Sequence, residues 1–310
     1  MSSQRQHEMQ SACVQAGARG RYQTAGQAIA IDAGPIAPGG ETRIHRAARK
    51  LALSRAKVWR HSTLVRLFVW RDIKVRYKQT VLGVAWAFLQ PLLATFAFTL
   101  VFTKIAKVSS NGLPYPVFVL AGLLPWQFFA QGMIRAGNSL AQERYLLTRL
   151  PIPKIVLPIA AILSGLPDFA VGLSLLIGLF VFYGMAPGWN VVAILPIALL
   201  VFAGTAAMGI LLAAINVRFR DVSLAIPFLT QIWFFLTPVG YPSTLVAERW
   251  RFLFQLNPLS GIVELFRWAA AGGPAVPWRA GAFSVASVAA LLVVSLIYFK
   301  RMQANCADAL

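Results

Sequence analysis

Proton transfer and metal binding usually draw on clustered carboxylates, histidines or cysteines. This chain offers few. Its three histidines, His7, His45 and His61, all precede residue 62, and its two cysteines, Cys13 and Cys306, lie at opposite ends. Neither cysteine sits in a metal-ligand spacing, and both are expected as free cytosolic thiols. The acidic residue deepest within an apolar stretch is Asp168, beside Pro167. One carboxylate makes no acid/base pair, so no catalytic residue, no bound cofactor and no metal site is expected in this chain. An ionisable residue inside an apolar span is by default a functional candidate. Asp168 therefore has two open readings: it bonds backbone groups freed at a proline kink or faces a wet cavity, or it couples an ion in a secondary carrier. The second reading needs another intramembrane polar group, and none is evident; Arg135 lies nearer the inner end of its own span. No Gly-x-x-x-x-Gly-Lys-Ser/Thr loop occurs to cradle a nucleotide phosphate. If ATP drives the protein, another subunit hydrolyses it.

The elements around these residues are apolar. Charged residues are 13% of the chain and hydrophobic ones 58%, with a mean hydropathy of +0.65. Soluble domains carry roughly a quarter charged residues, so the chain reads as an integral membrane protein, all-α. The net charge of +19 raises nucleic-acid binding as a possibility. The later basic residues flank apolar runs instead, as topology signals do, and no recognition motif accompanies them. No nucleic-acid partner is expected.

Residues 1–60 lack apolar periodicity and read as a disordered cytosolic tail. Residues 61–80 read as an interfacial helix, with Arg71, Lys74 and Lys78 on one stripe and Val69, Trp70, Ile73 and Tyr77 roughly opposite. Six transmembrane spans are expected at 81–103, 116–134, 155–183, 191–215, 224–239 and 281–299, since roughly 20 apolar residues cross the hydrocarbon core. Pro158 and Pro167 should tilt or kink the third. Gly209 and Ala213 give the fourth a small-xxx-small face. The fifth is short and ends at the Pro238 to Pro242 break. Residues 243–280 form an outer segment with two stretches too short to span, Trp250 to Leu256 and Leu259 to Ala270, expected as re-entrant or interfacial helices. Residues 302–310 close the chain as a short cytosolic tail. Basic residues in the short loops place both termini in the cytosol; Arg249, Arg251, Arg267 and Arg279 depart from that pattern in the long outer segment.

Five pieces in order carry a resemblance: Arg71 to Gly83 running into Trp86 and Gln90-Pro91; Ala121 to Trp126; Asn216 to Asp221; Thr237 to Tyr241; and Leu256-Asn257-Pro258. Over about residues 62–300 the chain resembles the membrane subunits of ATP-binding-cassette exporters of polysaccharides and polyol phosphates, which include the O-antigen, capsule and teichoic acid permeases. The resemblance implies the type-two exporter fold: an interfacial helix, six spans and short re-entrant outer helices before the last. It implies a bacterial inner-membrane location, a second copy of the chain, two nucleotide-binding ATPase subunits that hold the ATP and Mg, and an undecaprenyl-linked glycan substrate.

It also implies roles for particular residues. Glu143 and Arg144, and the turn Arg218-Phe219-Arg220-Asp221, would insert into the ATPases; the plainer reading of Arg218 and Arg220 is topological anchoring. Arg71, Asp72, Lys74, Tyr77, Leu82 and Gly83 would belong to the interfacial helix and substrate approach. Trp86, Phe88, Phe96, Trp126, Trp233, Phe234, Phe235 and Tyr241 would include residues lining a sugar-conducting path between copies; they are equally ordinary lipid-facing or interface-belt aromatics. Export of O-antigen is the leading functional expectation, with capsule or teichoic acid export next and small-molecule efflux by a related permease after that. A membrane-embedded glycan-processing enzyme lacks its carboxylates.

Overall fold

Within a bilayer every backbone N–H and C=O must find its partner inside the protein, which leaves helices or closed barrels. The computed structural model describes residues 62–78, 84–105, 112–149, 152–186, 188–219, 221–243, 254, 257–272 and 276–307, and among them no strand occurs. The expected tail 1–60, Leu82, Gly83, Arg220 and nearly all of the stretch Trp250 to Leu256 lie outside the described residues.

Helix α1 spans residues 62–78. Helix α2, Val84–Thr99, continues into a π-helical turn, Leu100–Ile105. Its hydroxyls bond back into the helix, Thr95 Oγ1 to the Pro91 carbonyl and Thr99 Oγ1 to the Thr95 carbonyl, each at 2.7 Å. This lets two polar side chains sit in an apolar helix without an outside partner.

Helix α3, Tyr115–Gln142, is the hub, packing against most of the others. Pro116 stands in its first turn, where a missing N–H removes no helical bond. At 28 residues it is about 42 Å long, more than the hydrocarbon core needs. It thus runs past the expected inner end at Ile134, through Arg135 to Gln142. A short helix α4, Arg144–Arg149, follows at once, so the expected elbow at residues 142–154 is itself partly helical.

The expected third span is two helices, α5 Val156–Leu163 and α6 Leu166–Phe182. The break at Ser164-Gly165 precedes Pro167 because proline's ring clashes with the carbonyl four residues back and has no N–H to give it. Pro158 causes no kink, since it lies in the first turn of α5. The chain then forms a 3₁₀ turn, Trp189–Ala193, and α7, Ile194–Arg218. Gly209 of α7 lies against Ala136 of α3, where an added Cβ would come within 2.6 Å of the alanine Cβ. That is the close approach small residues permit.

Helix α8, Val222–Phe235, has only 14 residues, about 21 Å. It gives way to an irregular segment through Pro238 and Pro242. Helix α9, Pro258–Ala271, arises from the Leu259 to Ala270 stretch; Asn257 Oδ1 caps it by accepting from the Leu259 N–H at 3.1 Å. Gly272, at φ 73°, ends it with its N–H on the Trp268 carbonyl, a left-handed position that glycine takes without strain. Helix α10, Trp278–Ala307, closes the fold. Among the described residues, five helical stretches are long and apolar enough to cross a membrane: Ala85–Thr103, Tyr115–Gln142, Val156–Phe182, Trp189–Arg218 and Trp278–Gln303; α8 is apolar but shorter.

Candidate functional site

The polar chemistry of the bundle gathers where α1 meets α3 and the α5–α6 break. Asp168 falls in the first turn of α6, a position the helix dipole favours for an anion. Of the two halves of one sequence reading, bonding the freed backbone or facing a cavity, its carboxylate makes no cap bond and lines a cavity. Its Oδ2 lies 2.5 Å from Arg76 Nη1, and its Oδ1 accepts from the Tyr77 hydroxyl. Arg76 also donates to the Ser164 carbonyl at 3.4 Å and to Ser164 Oγ at 3.3 Å, so it serves the carbonyl exposed at the break. The polar partner that the sequence did not disclose therefore comes from α1, 92 residues away.

Arg135 reaches the same place from α3. Its Nε donates to the Ala161 carbonyl at 3.1 Å, and it makes no ion pair with Asp168 among those present. Among the described residues, Arg76, Arg135 and Asp168 are the charged ones lining a cavity of about 230 Å³. Gln90, Gln127 and Gln131 add amides to its wall, and Trp86 and Phe128 add aromatic surface. The space is smaller than pockets that hold drug-sized ligands, roughly 300 to 1,000 Å³. A second recess of about 460 Å³ shares Arg76 and Arg135 and is bordered by Arg71, Asp72 and Glu143.

Helix α1 is fastened at a second point. Arg71 Nη2 lies 2.6 Å from Glu143 Oε1 and 2.9 Å from Asp72 Oδ1, and its guanidinium sits 5.0 Å from the Phe68 ring centroid. Glu143 thereby pairs with Arg71 of this chain, at the junction of α3 and α4. Arg144 is exposed beside it, and Lys74 is exposed on α1. Burial and its bond to Asp168 push the Tyr77 phenol up to about 12.

A second charged turn joins α7 to α8. Arg218 stands 5.3 Å over the Phe219 ring, Phe219 is 52% exposed in an extended conformation, and Asp221 precedes α8 without capping it. An aromatic so exposed beside charged residues is a surface that a partner can cover.

The eight aromatics named from the sequence divide. Phe88, Phe96 and Phe235 are exposed, and Trp86 is exposed on the cavity side. Two residues along a helix turn the direction by about 200°, so Trp86 and Phe88 face nearly opposite ways and cannot line one path together. Trp126 is only 5% exposed, packed between Phe129 and Phe234. It is a core residue of this chain, because the hub helix buries that face against α8. Trp233 is half-buried and donates its indole N–H to Asn257 Oδ1 at 2.9 Å. Phe234 stacks edge-on with Phe98, Trp126 and Phe235. The Tyr241 hydroxyl donates to the Phe235 carbonyl at 3.0 Å.

A node that the sequence reading noted only as a charge anomaly lies at the other end of α3. Arg267 of α9 is buried and donates to the carbonyls of Val239, Phe118 (3.3 Å) and Tyr241 (3.4 Å). Its guanidinium lies 3.8 Å from the Phe118 ring centroid. The Tyr115 hydroxyl donates to the neighbouring Gly240 carbonyl. The irregular segment after α8 is thereby satisfied by side chains where it has no helical partners. An arginine three residues after Glu264, among the apolar residues of α9, was the available signal.

Comparison with known proteins agrees with this arrangement. The chain matches the ABC-2 type transporter family over residues 63–270. It is 34% identical over 213 residues to an O-antigen export system permease protein, RfbA, of Myxococcus xanthus, covering 68% of this chain and 81% of the relative. It is 26% identical over 201 residues to a Klebsiella pneumoniae protein of the same name, covering 64% and 76%. To the polysialic acid transport protein KpsM of Escherichia coli it is 25% identical over 222 residues, covering 68% and 82%. From helix α1 and the hub helix to the capped helix α9, the matched region is the framework just described, and the chain belongs to the ABC-2 type transporter family.

Proposed function

We propose that this chain is the membrane-spanning permease of an exporter that moves a lipid-linked polysaccharide of the O-antigen class outward across the bacterial inner membrane. Two copies would form the path, and two separate ATPase subunits would hold ATP and Mg and supply the power. Both termini would lie in the cytoplasm, with α8 and the segment after it making the sixth crossing. The observation that carries the reading is the 34% identity to the Myxococcus xanthus permease over 81% of that protein.

The geometry offers a route for the mechanical step. A push on α4 or on the exposed Arg218 to Asp221 turn acts on rigid helix ends. Helix α4 abuts Glu143, Glu143 holds Arg71, and α1 in turn holds α6 through Arg76 and Asp168. Packed elements of this kind move as bodies, so displacement at the inner turns shifts α1 and α6 together. The exposed faces of α2 and α8, with Phe88, Phe96 and Phe235, are the surfaces available to a second copy and to sugar rings.

Deleting the gene tests the reading in the cell. Lipid-linked glycan should accumulate inside and its surface form disappear, with both restored by this chain only when its ATPase is present. Normal surface glycan in the deletion strain would refute it. The 25% identity to KpsM supports a capsule polymer as the second reading, which the chemical identity of the trapped glycan decides.

A further inference from the structure

Among the described residues, the lining of the cavity beneath α1 carries one positive charge more than it carries negative, two arginines against one aspartate. Arg76 is committed to Asp168 and Ser164. Arg135 is not: beyond the Nε bond to the Ala161 carbonyl, no carboxylate among the described residues lies within 4 Å of it. Its guanidinium lies over the α5–α6 break, where Gly165 leaves room that a Cβ would take from Nη2. A guanidinium has five N–H donors in a fork, and in an apolar span an uncompensated charge is expensive. The group that best satisfies such a fork is an oxyanion bound by two parallel hydrogen bonds. Three glutamines that line the cavity, Gln90 of α2 and Gln127 and Gln131 of α3, can donate to further oxygens.

We propose that this cavity binds a phosphate group of an amphiphile, and that Asp168 is a resident stand-in for it. In the unoccupied cavity the Asp168 carboxylate neutralises Arg76. An arriving phosphate takes Arg76 from Asp168 and engages Arg135 as well, while Asp168 keeps the Tyr77 hydroxyl. Because the Arg76 bond is one of the two from α1 to Asp168 of α6, its loss loosens α1 as the anion binds. Occupancy of the site is thereby linked to the position of the helix that Arg71 joins to Glu143. The exporter reading supplies only the amphiphile's identity, a lipid-linked glycan; the anion chemistry stands on the cavity itself.

The test uses the full chain in phosphatidylcholine nanodiscs, titrated with farnesyl diphosphate, inorganic pyrophosphate and uncharged farnesol. Farnesyl diphosphate should bind saturably and farnesol should not. Arg135→Gln should weaken binding about tenfold, the loss of a charge-assisted hydrogen bond, and Arg135→Lys should weaken it less. Asp168→Asn should tighten binding by about tenfold, because the competing anion is gone. Tightening is a readout that a misfolded variant cannot produce. Pyrophosphate binding with the same dependence on Arg135 identifies a site for free anions as well as for headgroups; binding of farnesyl diphosphate alone identifies a headgroup site. Either Arg135→Gln or Asp168→Asn binding like the parent overturns the proposal. Failure of these titrations with ATP-driven export intact rejects the site alone, and the reverse result rejects the exporter reading alone.

Discussion

Replacing Arg267 by lysine keeps the charge and the burial and removes the fork. An ammonium at the end of a flexible chain cannot reach the Val239, Phe118 and Tyr241 carbonyls from one planar group, nor lie flat on the Phe118 ring. Of the three bonds, those to Phe118 and Tyr241 are long, at 3.3 and 3.4 Å, and each is worth less than a well-formed one. Losing two of the three, with part of the stacking 3.8 Å from the ring centroid, comes to about 3 kcal/mol. For a domain of this size that is a fall of roughly 6 to 12 °C in apparent Tm, measured by thermal unfolding of the detergent-purified chain. Gly122→Ala should act on the same node, since the new Cβ would lie 2.6 Å from Arg267 Nη2 and 2.8 Å from the Val239 carbonyl oxygen. Its cost should be about 1 to 3 kcal/mol, and the double variant should lose less than the sum of the two. A lysine variant within about 2 °C of the parent, or strictly additive losses, would refute the claim that Arg267 fastens α9 to the segment after α8.

Gly209→Ala should destabilise the chain by about 1 to 3 kcal/mol and Ala136→Gly in the same chain should restore most of it, checked by the same unfolding assay. Arg71→Glu should change stability by about 1 kcal/mol or less, since its partly exposed pair with Glu143 is screened. Export should nonetheless fall in that variant and recover with Glu143→Arg. Phe219→Ala, at a side chain 52% exposed, should leave Tm within about 1 °C while cutting co-purification of the ATPase; unchanged co-purification would count against that turn as a docking surface. The Tyr77 phenol is raised from 10.0 to about 12 by burial and Asp168. Its contribution is then complete below pH 10.0 and lost as pH rises through about 12; Tyr77→Phe should remove that alkaline step from the stability profile.

The spans were readable because length and apolarity are local properties. A run of about 20 apolar residues has few alternatives in lipid, and the brevity of α8 was visible in its closing prolines. Helix ends were less readable. Residues 135–142 are polar enough to suggest a loop, yet continue α3 up to α4, because helical bonding carries past the apolar stretch. Pro167 announced the break in the third span, while its position at Ser164-Gly165 follows from a clash one turn earlier in the chain.

The site was mostly illegible for a different reason. Arg76 and Asp168 are 92 residues apart, and nothing in the local pattern of α1 separates Arg76 from the basic residues around it. Gln90, Gln127 and Gln131, polar residues within apolar helices, were the overlooked signal of a cavity. Trp126 was misread because an aromatic side chain on an apolar helix has the same sequence signature whether it faces a path, a lipid tail or α8.

The central claim is vectorial transport driven by a partner. The chain and its cognate ATPase should be reconstituted together in liposomes carrying a lipid-linked glycan labelled on its sugars, and the glycan reaching the opposite face measured with and without ATP. The expected result is translocation that requires ATP and both proteins. Translocation by this chain alone, or none with the complete ATP-hydrolysing pair, would contradict it.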